Sequence, residues 1–199
     1  MLVGIHCEGT FDDKTLKELI KRIAIDAGIT EEIKFRVKTA DGSITKSSIE
    51  AALGLFLEIK PECSFGIFVT DTDGDSHKCS NVRRLVREAC LLGIDHSFGV
   101  VGCPDPVIEE WFLDEENAIK NILGFAGTEP LPFGDIISPK DRYHYMISKS
   151  NDDITKTDDD VHLEIVRLID MGKLRSSSRS FDTFYKDTLA KMRSLYANV

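Results

Sequence analysis

The chain has 199 residues, which fits one domain or a domain with a helical appendix, and its 42% hydrophobic content is enough for a buried core. No stretch approaches the roughly 18 to 20 apolar residues of a transmembrane helix, and five scattered cysteines do not form a disulfide framework. We therefore expect a cytoplasmic protein with free thiols. The net charge of −9 excludes a general attraction to nucleic acid, so a phosphate-binding role requires a local basic patch or metal ions.

Strand and helix patterns alternate along the first half of the chain. The predicted strands cover residues 2–7, 33–38, 65–70 and 97–102, and the predicted helices cover 12–26, a segment from Ser47 or Ser48, and about 81–92. This alternation predicts an α/β fold whose mainly parallel sheet is flanked by helices and has right-handed crossovers. We expect this core to span residues 1–104.

The second half of the chain is mostly helical in pattern. Helices are predicted near 106–122, 139–149, 158–171 and 180–196, with a loop at 127–134. We interpret residues 105–199 as a helical extension packed on the core. Trp111 is predicted to pack this extension onto the sheet and to aim Glu109 inward.

Acidic residues follow several of the predicted strands. Glu8 comes after the first strand, and the cluster Asp71-Thr72-Asp73-Gly74-Asp75 comes after the third. In open parallel sheets, binding residues collect beyond the carboxyl ends of the strands. Gathering like charges there is costly without a cation, and Mg²⁺ prefers oxygen ligands. We therefore predict a Mg²⁺ or Mn²⁺ site. The alternative is a turn in which Asp and Gly only satisfy backbone groups.

Other protein classes share an apolar strand followed by this acidic string. An EF-hand loop beginning at Asp71 needs glycine at its sixth position and glutamate at its twelfth, where this chain has Ser76 and Val82. That class is excluded. A phosphatase of the haloacid-dehalogenase type would use Asp71 as a nucleophile, but its fold normally opens with this strand, whereas two strand–helix units precede it here. It remains an alternative.

In its order of motifs, the chain resembles the TOPRIM-like family of small bacterial proteins, including RloB-type and OLD-type nuclease relatives. Cys7-Glu8-Gly9-Thr10 and Asp71-Thr72-Asp73 carry the resemblance in the first half. The second half contributes the motifs 107–113 (Val-Ile-Glu-Glu-Trp-Phe-Leu), Pro139-Lys140 and Ser180-Phe181.

The resemblance implies a metal-dependent nuclease, or a nuclease-like partner of an ATPase, often in defence against mobile elements such as phages. It implies that Glu8 is the acid or base residue and that Asp71 and Asp73 bind metal. Glu109 is a candidate metal or water contact, and the role of Asp75 is less defined. Lys140 is expected to pair with a site carboxylate or to stabilise a leaving oxygen.

Three functional hypotheses follow from the sequence. The first is a Mg²⁺- or Mn²⁺-dependent phosphodiesterase that acts on DNA or RNA. The second is a non-catalytic interaction subunit that works with an ATPase, and the third is the phosphatase. Arg83, Arg84 and Arg87 either hold phosphates beside the metal or form a solvated helix face.

Overall fold

The computed structural model describes residues 1–91, 95, 97–113, 115, 119–120, 122–124, 138–150 and 157–197. The strands are β1 (Leu2–Cys7), β2 (Lys34–Thr39), β3 (Phe65–Val69) and β4 (Gly99–Gly102). The helices are α1 (Thr10–Asp26), α2 (Lys46–Glu58), α3 (Lys78–Leu91), α4 (Ile108–Leu113), α5 (Pro139–Ser150), α6 (Asp158–Leu168), α7 (Met171–Ser177) and α8 (Arg179–Tyr196). The loop predicted at 127–134, and part of the helix predicted at 106–122, lie outside the described residues.

The four strands form one parallel sheet in the order β2-β1-β3-β4. Ile5 on β1 lies opposite Val37 on β2 and Ile67 on β3, and Val69 on β3 lies opposite Gly102 on β4. The structure thus confirms the predicted fold class, an α/β fold with a parallel sheet flanked by helices.

Each face of the sheet has its own hydrophobic core. Ile67 and Val69 of β3 join one cluster with residues of α1, whereas Phe68 joins a second cluster with residues of α2 and α3. This split follows from the period of two in a strand, which sends successive side chains to opposite faces. Helices therefore cover both faces, which explains why β3 is continuously apolar.

The direction in which the chain adds strands to the sheet reverses between β1 and β3. From β1 the chain moves outward to β2, and after α2 it crosses back over β1 to reach β3. As a result, α1 leaves β1 on one face of the sheet and α3 leaves β3 on the other. A crevice opens at such a switch point, outside the carboxyl ends of the two strands. Glu8 and Asp71 are the residues found at these two ends.

The second half of the chain packs on the face of the sheet that α1 covers. Trp111 of α4 is fully buried, stacks on Phe184 with a centroid distance of 5.4 Å, and donates a 2.7 Å hydrogen bond from Nε1 to Ser180 Oγ. Residues from both halves share one apolar cluster, so the core continues across the predicted border at residue 104. None of the helices within the described residues combines the length and apolar character that a transmembrane segment requires.

Two expectations from the sequence are wrong. Cys79 and Cys103 form a disulfide bond, with Cα atoms 5.7 Å apart, whereas all cysteines were expected as free thiols; Cys7, Cys63 and Cys90 are free and buried. A spacing of 24 residues between two cysteines does not by itself predict a disulfide bond. The contact arises only because α3 returns the chain to β4. In addition, α3 begins at Lys78 instead of near Asn81, which places Lys78 and Cys79 in its first turn.

Candidate functional site

Glu8 is held at the carboxyl end of β1 by Thr70, which directly follows the neighbouring strand β3. Thr70, which is fully buried, donates a 2.6 Å hydrogen bond from Oγ1 to Glu8 Oε1. The β1–β3 register explains the contact, because His6 pairs with Phe68 and two further residues bring Glu8 level with Thr70. The Glu8 side chain keeps 20% exposure, so it is fixed in direction and still reaches solvent.

The loop after β3 is fixed by its backbone to the segment that follows β4. Thr72 N–H donates to Pro104 O and Asp73 N–H donates to Pro106 O, both at 3.0 Å, while Thr72 Oγ1 donates to Asp105 Oδ1. Asp73 and Gly74 both have a positive φ, of 52° and 79°. Glycine tolerates this left-handed conformation, but for Asp73 it is a strained one that the anchored loop imposes.

Asp71 lies where negative charge accumulates. Its pKa is raised to about 8, first by burial and then by the charges of Asp12, Glu8, Glu109 and Asp73. A carboxyl group with such a pKa is mostly protonated at neutral pH unless a cation compensates its charge. Glu8, Asp73 and Glu109, which the sequence predicted together with Asp71, therefore lie near enough for their charges to act on it.

Asp12, at the start of the helix predicted over 12–26, belongs to the same cluster, although it was not among the site residues predicted from the sequence. Its Oδ2 accepts the Gly9 N–H at 3.0 Å and so caps α1. Burial raises its pKa to about 6, against the lowering effect of the Gly9 hydrogen bond; the charges of Glu109 and Glu8 raise it further, and that of Lys140 lowers it. The sequence feature that could have identified Asp12 as a site residue is its position four residues after Glu8, in the first turn of the helix that directly follows β1.

Two lysines offset part of this negative charge. Lys78, in the first turn of α3, lies with Nζ 3.3 Å from Glu8 Oε1 and 2.6 Å from Asp73 Oδ2. Burial opposes its charged form, but the hydrogen bond to Asp73 and the charge of Glu8 outweigh burial and raise the pKa of Lys78. The positive charge of Lys140, at the start of α5, lowers the pKa of Asp12. The sequence indicated Lys140 but not Lys78, because α3 was expected to begin later.

Glu109 reaches the cluster from the second half of the chain. It is 3% exposed, and its Oε1 lies 4.0 Å from Nε2 of His144 on α5. Neighbouring Trp111 fixes α4 against α8, which holds Glu109 in its inward position. The predicted packing role of Trp111 agrees with this arrangement.

Asp75 lies apart from these contacts. Its Oδ1 accepts the His77 N–H at 2.8 Å, and its N–H donates to Thr72 O at 2.9 Å. Asp75 thus caps the turn between β3 and α3, as an aspartate in a turn commonly does. Its predicted role as a metal ligand is not tested by this geometry.

A Mg²⁺ or Mn²⁺ ion requires oxygen ligands within direct reach of one point. Within the described ranges, no three His, Cys, Asp or Glu side chains lie close enough together to hold a metal as they stand. The chemistry of the donors does fit, because all are hard carboxylate oxygens and the raised pKa of Asp71 marks negative charge without full compensation. Glu8, Asp12, Asp71 and Asp73 are the side chains that would hold the ion.

No protein-family model matches the chain, and no curated protein sequence matches it. Among solved structures, the C-terminal region of the Burkholderia pseudomallei OLD protein is similar to this chain over 97% of both chains, with 14% sequence identity and a TM-score of 0.41. A similarity at this level does not assign the chain to a family.

Proposed function

We propose that this chain is a Mg²⁺- or Mn²⁺-dependent phosphodiesterase of the TOPRIM type that cleaves nucleic acid. The observation that carries the proposal is that Glu8, Asp12 and Asp73 surround the half-buried Asp71 at the crevice between β1 and β3, where burial first and then their charges raise the pKa of Asp71 to about 8. A protein gains no stability from such crowding. Cation binding is the function that this arrangement supports best.

The residues of the site have separate tasks in the proposed reaction. A bound divalent cation would supply charge stabilisation for the attacking and leaving oxygens of the phosphodiester. Glu8, whose Oε1 is held by Thr70 and Lys78, is oriented to accept the proton of the attacking water. Lys140 contributes positive charge for the leaving oxygen.

The test is cleavage of labelled DNA and RNA by the purified chain in Mn²⁺, in Mg²⁺ and in EDTA. We expect metal-dependent cleavage that falls by about a hundredfold or more in Glu8→Gln and in Asp71→Asn. Absence of cleavage in every condition, together with a melting temperature that Mn²⁺ does not raise, would refute the proposal. An aspartyl-phosphate trapped on Asp71 would point to the phosphatase alternative instead.

A second candidate function is a non-catalytic subunit that works with an ATPase. It is favoured by one observation: Lys78 already bridges Glu8 and Asp73, which gives these two carboxylates a partner without any metal. On this alternative, Lys78→Met lowers the melting temperature and Mn²⁺ does not restore it. On the nuclease proposal, Mn²⁺ raises the melting temperature of both the wild type and Lys78→Met.

A further inference from the structure

Two cavities lie side by side between α3 and α8. The first has a volume of about 440 Å³, and its polar lining comprises Arg83, Arg87, Ser97, Asp187, Lys191 and Ser194. The second has a volume of about 500 Å³ and is lined by Arg83 and Arg179, by Thr72 of the acidic loop 71–75, and by Asp105 of the segment after β4. Arg83 lines both cavities, which are together called the α3–α8 groove, and the second cavity reaches Thr72, which lies between Asp71 and Asp73 in the chain.

The α3–α8 groove is lined by four basic and three acidic side chains, a formal charge of +1 in a chain whose net charge is −9. The basic excess lies in the first cavity, where Arg83, Arg87 and Lys191 outnumber Asp187. Arg83 has a loose contact with Asp187, with Nη2 and Oδ2 4.0 Å apart and both side chains about half exposed. Arg87 and Arg179 form no ion pair with any residue that the structure describes. Toward the acidic loop, the carboxylates of Asp105 and Glu110 lie in the second cavity, so the positive charge is greatest at the end away from the cluster.

The three neighbouring arginines of α3 differ in what their side chains face. Because Arg83 and Arg87 are four residues apart, they lie on the same face of α3, and both line the groove. Arg84 points elsewhere and pairs with Glu88, with Nη1 and Oε1 2.9 Å apart on the solvent face. Two of the three therefore present guanidinium groups to a cavity, while the third is compensated.

The remaining walls suit the other parts of a nucleotide. Ser97 Oγ accepts a 3.1 Å hydrogen bond from Lys191 Nζ and donates one of 2.6 Å to Asp95 Oδ2, so it orients Lys191 at the cavity wall. Val86, Val100 and Val101 form an apolar wall against which a sugar or base can pack. Guanidinium groups bind phosphate oxygens through paired N–H donors.

We infer that the α3–α8 groove binds the phosphate backbone of a nucleic-acid strand and leads it to the carboxylate cluster. The inference rests on the proposed nuclease function for its choice of partner. Arg87 and Lys191 hold the strand at the far end, Arg83 holds it where the two cavities meet, and Arg179 holds it next to the acidic loop.

The experiment measures binding without cleavage. Fluorescein-labelled single-stranded DNA, its RNA counterpart and the matching duplex are titrated with the protein in EDTA, and anisotropy is followed from low to moderate salt. The variants are Arg83→Gln, Arg87→Gln, Lys191→Gln and Arg179→Gln. Arg84→Gln is the matched control, since it removes the same charge from the same helix but outside the groove. Melting temperatures confirm that each variant is folded.

We expect each groove variant to bind about three- to tenfold more weakly at low salt and to lose about 0.7 to 0.9 from the slope of log affinity against log salt. The Arg84→Gln control should bind like the wild type. Groove variants that bind as tightly as the control would overturn the inference, and so would a wild type that binds poly-glutamate as well as it binds the oligonucleotides.

The failure of the groove and the failure of the proposed function give different results. Weakened binding in the groove variants, with no cleavage in any metal, supports the groove and refutes the nuclease. Metal-dependent cleavage that needs Asp71, with KM unchanged in all four groove variants, supports the nuclease and refutes the groove. A chain that binds no oligonucleotide at all refutes the groove, whatever Mn²⁺ does to its melting temperature.

Discussion

Thr70 and Glu8 are 62 positions apart in the chain, yet Thr70 Oγ1 donates a 2.6 Å hydrogen bond to Glu8 Oε1. The contact joins the ends of β1 and β3 at the point where the strand order reverses, so it fixes the direction of the carboxylate that the proposed mechanism uses as a base. Thr70 is fully buried, so in the proposed mechanism its hydroxyl positions Glu8 and takes no part in the reaction itself.

The first prediction concerns this hydrogen bond. Thr70→Val keeps the shape of the side chain but removes the donor, so we expect nuclease activity to fall by about ten- to a hundredfold as Glu8 loses its direction. The free energy of unfolding should fall by only about 1 kcal/mol. Cleavage assays and urea denaturation measure the two effects, and Thr70→Ser, which restores the hydroxyl, should recover most of the activity. Equal losses in the Val and Ser variants would contradict the positioning role.

The second prediction separates two adjacent aspartates of α1. Asp12 lies within the charge cluster, whereas Asp13 pairs with Lys17, with 2.8 Å between Oδ1 and Nζ. We expect Asp12→Asn to lower the affinity for Mn²⁺ by about ten- to a hundredfold, and asparagine can still accept the Gly9 hydrogen bond. Asp13→Asn is the matched control and should bind Mn²⁺ normally. Calorimetric titration measures both, and similar affinities in the two variants would remove Asp12 from the site.

The third prediction concerns the acidic loop. Asp73 contacts Lys78 and adds to the charge around Asp71, whereas Asp75 caps the turn through the His77 N–H. We expect Asp73→Asn to abolish metal-dependent cleavage. Because an asparagine carbonyl can replace the capping carboxylate, Asp75→Asn should change activity by less than about twofold. A large loss in Asp75→Asn, with an unchanged melting temperature, would restore the ligand role predicted for it from the sequence.

The fourth prediction concerns His162, which joins α6 to α1 and α5. Thr15 Oγ1 donates to Phe11 O at 3.0 Å, so at its 2.6 Å contact with His162 it accepts a hydrogen bond from Nε2–H. Tyr143, whose pKa is raised well above its usual range by burial, keeps its proton and donates it to His162 Nδ1. His162 is therefore a neutral imidazole with both nitrogen atoms engaged.

Burial lowers the pKa of His162 to about 3, whereas the unfolded chain has the ordinary value of 6.5. The stability contributed by the neutral ring is thus fully present above pH 6.5 and is lost as the pH falls from 6.5 toward 3. We expect the free energy of unfolding to fall more steeply over this range in the wild type than in His162→Gln. His77→Gln, which alters an exposed histidine, is the control and should keep the wild-type slope. Parallel curves for the wild type and His162→Gln would contradict the prediction.

Local patterns were sufficient for most of the elements. The apolar run of β3 and the alternation from Lys34 to Thr39 predicted strands that the structure confirms, because a strand exposes side chains with a period of two wherever it lies. Element ends were less accurate. The N-cap of α2 is Thr45, two or three residues before the predicted starts, since Thr45 and Ser48 exchange hydrogen bonds that the apolar spacing does not reveal.

By itself, the sequence determined that buried parallel strands end in acidic residues, and hence that Glu8, Asp71 and Asp73 share one edge of the sheet. Only the tertiary structure decided which other groups join them. Asp12, Lys78 and Thr70 reach the cluster, Arg83 is separated from Arg84, and Cys79 meets Cys103. These relationships depend on strand register, on the crossing of α2 over β1 and on where α3 begins. No pattern within a few residues encodes such distances between groups far apart in the chain.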